Sequence, residues 1–243
     1  MNENKYDEAH FFEQYSKMDR SKRGLKAAGE WECLRGLLPD FAGKRVLDLG
    51  CGYGWHCIYA AKHGAAAVTG IDLSSKMIEE AHKRNSAPQI TYRCCDIDEF
   101  SFPPEAYDIV LSSLAFHYLK DFNAVCRNVY KTTAQDGTFI FSVEHPIFTA
   151  QGPQSWHCSP DGVRLHWPVD RYFDEGPRTA VFLGDEVQKY HRTLTSYINA
   201  LLQAGFEMTA LTEPRPPQKM LAEPGMTDEL RRPMMLIISA RKK

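Results

Sequence analysis

A chain of 243 residues, 43% hydrophobic and 25% charged, is long enough to bury one sizeable core and short for two ordinary domains. Its 29 Lys and Arg against 31 Asp and Glu leave a net charge of −2, and the basic residues form no stripe, so a nucleic-acid partner is not expected. No apolar run approaches the roughly 18 residues that span a bilayer, and the first ten residues lack the apolar core of a secretory signal, so the expectation is a soluble, cytoplasmic protein without a membrane partner. Seven cysteines, an odd number with no CxxC pair, fit a reducing compartment and argue against both a disulfide framework and a structural zinc site.

Apolar periodicity predicts helices over 7–19 and 22–38. Then follow a strand at Arg45–Leu49, a helix at Trp55–His63, a strand at Ala67–Ile71 and a helix at Ser75–Arg84 with Ser74 as its N-cap. Strands at Ile90–Arg93 and Tyr107–Ser112, a helix at Phe122–Lys131 and a strand at Thr138–Val143 complete five strands alternating with helices, the rhythm of a parallel α/β sheet. From Glu144 to about Arg192 the rhythm fails, because Pro146, Gly152, Pro153, Pro160, Gly162, Pro168, Gly176 and Pro177 interrupt it. So long an irregular segment is a functional lid or a disordered loop, and its aromatic content favours the lid. Thr193–Ala204 reads as an amphipathic helix ended by Gly205, and strands at Phe206–Leu211 and Met234–Ala240 flank the Pro-rich 213–233.

Val46-Leu47-Asp48-Leu49-Gly50-Cys51-Gly52-Tyr53-Gly54 sets a buried strand before a glycine turn that opens a helix, so backbone approaches a ligand there. Asp72 lies 18 residues beyond Gly54 at the end of the next strand, where a carboxylate takes the two hydroxyls of an adenosine ribose. Two cofactors compete for this arrangement, NAD and S-adenosylmethionine (SAM). Asp48, two residues before the loop, would oppose a pyrophosphate but stabilises the ammonium and sulfonium of SAM. The third glycine of the dinucleotide pattern is also missing, its place being taken by Trp55, so SAM is favoured.

The run Val46–Trp55, then Gly70-Ile71-Asp72, Cys95-Asp96-Ile97, Tyr107-Asp108-Ile109-Val110 and Ala115-Phe116-His117 resembles the class I SAM-dependent methyltransferases, most closely the type 11 small-molecule family, over roughly residues 40–145. The resemblance implies a Rossmann-like α/β fold, with a seven-stranded, mostly parallel sheet, helices on both faces, the last strand antiparallel and the lid inserted after strand five. It implies that Asp48 and the loop at Gly50, Cys51 and Gly52 hold the methionine part of SAM, with Ser112 and Ser113 near it and Tyr15 and Arg20 over its carboxylate. Asp72 would hold the ribose, Asp96 the adenine amino group, and Leu73, Met77 and Ile97 would pack around the base. The chain is then one domain, 1–243, made of an N-terminal helical cap (1–40), a SAM-binding core (41–143), a substrate lid (144–192) and a C-terminal helix with strands (193–243).

For the chemistry, His117 after the fourth strand and Glu144 with His145 after the fifth sit at carboxyl ends, where an open sheet binds ligands, and are candidate bases. Trp156, Trp167, Tyr172 and His191 are candidates for an aromatic acceptor pocket. No metal is expected, since the histidines lack ligand spacing. The reading is thus a methyltransferase acting on a small-molecule acceptor. A SAM-binding protein without turnover and an NAD-dependent oxidoreductase remain open, and the sequence leaves the acceptor, the methylated atom and the oligomeric state undetermined.

Overall fold

The computed structural model describes residues 4–243. After a 3₁₀ turn at Lys5–Asp7 come three short helices, α1 (Ala9–Lys17), α2 (Asp19–Arg23) and α3 (Trp31–Leu37). Of the two long helices expected here, the first is trimmed to Ala9–Lys17 and the second is broken. Met18 is extended (φ −61°, ψ 146°), and Gly24 takes φ +63° against the indole of Trp55, a position with no room for a side chain.

The core alternates as expected: β1 (Arg45–Leu49), α4 (Trp55–Lys62), β2 (Ala67–Asp72), α5 (Ser75–Arg84), β3 (Ile90–Cys94), β4 (Tyr107–Ser113), α6 (Phe122–Thr132) and β5 (Thr133–Glu144). The insert after β5 holds α7 (Pro146–Thr149) and two hairpins, β6 (His157–Cys158) with β7 (Arg164–His166), and β8 (Gly176–Phe182) with β9 (Asp185–His191). The irregular stretch predicted for 144–192 thus needs correction, because seven residues on each side of Leu183-Gly184 pair in register. The chain ends with α8 (Leu194–Ala204), β10 (Phe206–Thr212) and β11 (Met235–Lys242). Ser74 caps α5, accepting from Met77 N, and Thr193 caps α8 while left-handed Gly205 ends it.

The seven-stranded sheet runs in the order β10-β11-β5-β4-β1-β2-β3. Strands β1 to β5 are parallel where they pair, and β11 is antiparallel to both β5 and β10, so β11 alone runs against the rest. Alternation along each strand sorts its side chains into two cores. Leu47, Leu49, Phe139, Phe141, Leu236 and Ile238 pack under α6 and α8, whereas Val46, Ile140 and Ile237 pack under α3, α4 and α5. Each such buried side chain contributes about 1.5–3 kcal/mol, and cutting Leu47 to Ala would cost about 2–5 kcal/mol. Asp48 has the parity of Val46, which buries its carboxylate beside Cys57 of α4.

Candidate active site

The glycine loop leaves β1 with the amides of Gly50 and Cys51 both donating to Ile71 O at 2.9 Å, which pins it to the end of β2. Gly50 (φ +74°) passes so near Ala115 that a Cβ would sit 2.5 Å from the alanine methyl. Gly52 (φ +52°) has the same left-handed backbone, but no atom of the described residues lies within 4 Å of where its Cβ would be, so space opens above it. Asp72 faces this space. Its Oδ2 accepts from Gly52 N at 2.8 Å and its Oδ1 from Ser74 N at 2.9 Å, while burial pushes its carboxyl up to about 6. Asp48 lies 1% exposed, accepts from the Cys57 thiol at 3.3 Å, and keeps Oδ1 without a hydrogen-bond partner among the described residues. Burial lifts it to about 7, against the thiol hydrogen bond, and the neighbouring Asp72 adds to the rise.

From the loop a cleft of about 470 Å³ runs along the carboxyl ends of the strands. Gly50, Gly52, Asp72, Leu73, Met77, Asp96, Ile97 and Ser113 line one end, and Tyr15 and Arg20 of the N-terminal helices border it. Arg20 is engaged, 2.9 Å from Glu30, a carboxylate 2% exposed. At the other end His117, Glu144, Gln154 and Lys189 meet apolar walls from Phe148, Phe182, Val187 and Met234. Glu144 accepts from Lys189 Nζ at 2.6 Å and from Gln154 Nε2 at 2.7 Å, and Lys189 also donates to Gln154 Oε1 at 3.0 Å, closing a ring. Burial raises Glu144, but the Lys189 ammonium and the Gln154 amide outweigh it and hold the carboxyl below its ordinary range. His117, 2% exposed, is pushed down to about 4 by burial, and its Nδ1 accepts from Glu144 N at 3.4 Å, which leaves the proton on Nε2.

Residues 47–141 match the methyltransferase domain of the type 11 family. A solved structure from Listeria monocytogenes, put forward as a SAM-dependent methyltransferase, is 55% identical, covers 90% of this chain and 99% of its own, and superposes with a TM-score of 0.87. A SAM-dependent methyltransferase from Mesorhizobium loti is 42% identical over 90% of this chain and all of its own, with a TM-score of 0.84. The chain belongs to the class I SAM-dependent methyltransferases of type 11. A malonyl-[acyl-carrier protein] O-methyltransferase of Bacillus cereus is 31% identical over 104 residues, 42% of this chain but only 38% of that protein, so the shared part is far short of its full length.

The cofactor of this methyltransferase is SAM, and the NAD reading falls with that finding. The residues fit it. Space over Gly52, the carboxylate of Asp72 at its edge and the unpartnered Asp48 oxygen beneath together suit a nucleoside that carries positive charge. Among the described residues no cluster of three or more His, Cys, Asp or Glu is arranged to hold a metal ion, and no helix is long and apolar enough to cross a membrane.

Several candidates of the methyltransferase lie outside the cleft, each for a packing reason. Ser112 is buried and donates to Leu49 O at 2.7 Å, tying β4 to β1, and Cys51 lies beneath the loop, 6% exposed. His145 is 3% exposed; Nδ1 accepts from Ile147 N at 3.0 Å to start α7, and Nε2 stands 2.9 Å from Glu213. Trp167 stacks on Phe148 from behind, its centroid 5.0 Å away, and donates to Ile147 O. Arg232, paired with Glu229, covers that indole at 4.3 Å and Trp156 at 5.4 Å, so both tryptophans anchor the insert to the C-terminal loop. Tyr172 caps α8 through its hydroxyl, which accepts from Leu194 N, and its carbonyl holds His191 Nε2. His191 ends β9 just before the Thr193 cap of α8, and Thr149 occupies its other nitrogen at 2.8 Å.

Sequence reasoning missed Lys189, Gln154, Tyr6 and Tyr118, which take their places in the cleft. One signal was available. Val187, Lys189 and His191 alternate with exposed or half-buried neighbours, a strand period with a lysine on the inward face.

Proposed function

We propose that the protein transfers the methyl group of SAM to a small-molecule acceptor bound at the far end of the cleft. The reading rests on the cleft's continuity from the glycine loop to the apolar walls of Phe148, Phe182 and Val187. SAM when bound supplies an electrophilic methyl group with its own leaving group. The chain's residues then chiefly align the acceptor and exclude water. In this reading Asp72 takes the ribose hydroxyls and Asp96 the adenine amino group, with Leu73, Met77 and Ile97 around the base. Asp48, the backbone at Gly50 and Gly52, and Ser113 hold the methionine part, with Tyr15 and Arg20 at its carboxylate. Neither His117 nor Glu144 is set as a general base near neutrality. One has its Nδ1 lone pair turned onto an amide, and the other is held below its ordinary carboxyl range by an ammonium and an amide that bond its two oxygens.

Residues 1–243 form one domain in this reading, with 1–40 as a cap and 144–192 as a lid that walls the acceptor end. Seven cysteines, all free, support a cytoplasmic location. The test is release of S-adenosylhomocysteine on incubation with SAM and a panel of small apolar and aromatic acceptors. Acceptor-dependent release supports transfer; tight SAM binding with no release for any acceptor leaves a SAM-binding protein without turnover. Asp72→Ala removes one charged acceptor from the ribose and from two amides. At about 1.5–3 kcal/mol for a hydrogen bond to a charged group, SAM affinity is expected to fall about tenfold to a hundredfold in calorimetric titration.

A further inference from the structure

We propose that the ring of Glu144, Lys189 and Gln154, with His117 beside it, is the recognition point for the acceptor, and that it selects a neutral polar group, a hydroxyl or carboxamide on an apolar body, over a carboxylate or an amine. The inference rests on the methyltransferase reading above and names the substrate class of that site.

The ring carries one positive and one negative side chain within 2.6 Å of each other, and all four residues line the cleft. A carboxylate entering here gains from Lys189 what it loses to Glu144, and an amine meets the reverse. In either case desolvation of the incoming charge is left uncompensated. A neutral hydroxyl or amide meets no such penalty, and it finds both kinds of partner. Among the described residues Lys189 Nζ donates to two acceptors and has a third proton, and Gln154 Nε2 donates one of its two. His117 offers Nε2–H, since its Nδ1 faces the Glu144 amide. The oxygens of Glu144 and Gln154 keep lone pairs free to accept.

Two features show that the ring is built to be held. Lys189 is 2% exposed, a burial that lysine rarely adopts unless paired. Gln154 sits at φ +51°, a left-handed backbone that is unfavourable for a non-glycine residue, and that backbone carries the amide completing the ring. The surrounding walls of Phe148, Phe182 and Val187 supply the apolar complement.

The experiment uses the full chain saturated with S-adenosylhomocysteine and three probes of one size, benzyl alcohol, benzoate and benzylamine, with binding followed by ligand-observed NMR. The alcohol is expected to bind at least tenfold tighter than either ion. Lys189→Met strips Glu144 of its partner and is expected to raise benzylamine binding at least tenfold, whereas Glu144→Gln frees Lys189 and raises benzoate binding by a similar factor. A residue that served folding alone would weaken all three probes without exchanging their order. Equal binding of the three probes, no binding of any, or no exchange of charge preference in variants that still bind S-adenosylhomocysteine would overturn the proposal. Failure of the wild-type chain to bind S-adenosylhomocysteine would instead overturn the reading of the cofactor end.

Discussion

Asp48 puts a carboxylate where water does not reach, and the consequence is measurable in the ligand-free protein. Its ordinary value is 3.8 and burial lifts it to about 7, so the folded chain binds a proton through that window that the unfolded chain releases. The contribution to stability is complete below about 3.8 and is lost as the pH rises through about 7. Asp48→Asn removes the penalty. It is expected to raise the melting temperature of the ligand-free protein at pH 8 by at least about 2–4 °C, the equivalent of about 1 kcal/mol for a chain of this size. The gain should shrink as the pH is lowered toward 4, and the variant should bind SAM at least tenfold more weakly at pH 8. Thermal melts across pH with calorimetry check both, and a gain that did not change with pH would remove the buried-charge account. The residue is destabilising where it stands, which is what a site for a cationic ligand requires.

Helix α5 shows how an element of the cofactor site is completed from a distant part of the chain. Ser74 caps it locally, but Asp7 also accepts from Ser74 Oγ at 2.5 Å, from Lys76 N at 3.2 Å and from Ser75 Oγ at 3.3 Å, clasping the N-terminal segment over the start of the helix. These hydrogen bonds hold the Asp7 carboxyl below its ordinary value, against the smaller burial it suffers there than Asp48 does. Asp7→Ala is expected to cost about 1 kcal/mol of stability, as loss of a helix cap does, and to speed SAM dissociation several-fold by freeing Tyr6 and its neighbours at the cleft. Denaturant melts and stopped-flow dissociation read the two effects, and an unchanged off-rate would confine Asp7 to capping. The periodicity reading drew Asp7 into a helix over 7–19, since the partner that fixes its role lies 67 residues away. Strands β1 to β5 were legible because their apolar runs answer to the sheet alone. The pair β8 and β9 was not, because Gly176 and Pro177 open it and Lys189 stands where an apolar residue would have marked the inward face.

The two ends of the cleft differ in the same way over the whole molecule. The cofactor end is drawn from short runs, 48–54, 72–77 and 96–97, so its residues could be read from spacing. The far end of the cleft gathers His117, Gln154, Lys189 and Met234 from four separate segments, and only the folded insert brings Gln154 and Lys189 to the others. The aromatic residues that stood out in the sequence, Trp156 and Trp167, went to fasten that insert through Arg232. The cleft is lined at the cofactor end both by residues of the deeply buried sheet and by Tyr15 and Arg20 of the short N-terminal helices, so a ligand there is expected to tie the two together. At one hundred times its dissociation constant SAM stabilises the native state by about 2.7 kcal/mol, so a melting shift of about 5–10 °C is expected. The gain should not be uniform. Amide hydrogen exchange is expected to slow most at 4–20, 50–54 and 72–77, where ligand contact suppresses local opening. The centres of β5 and β11, which open only with the whole protein, should slow by no more than the global shift. Protection confined to the loop, with 4–20 unchanged, would mean that the cap does not close on the cofactor. It would also withdraw Tyr15 and Arg20 from the site.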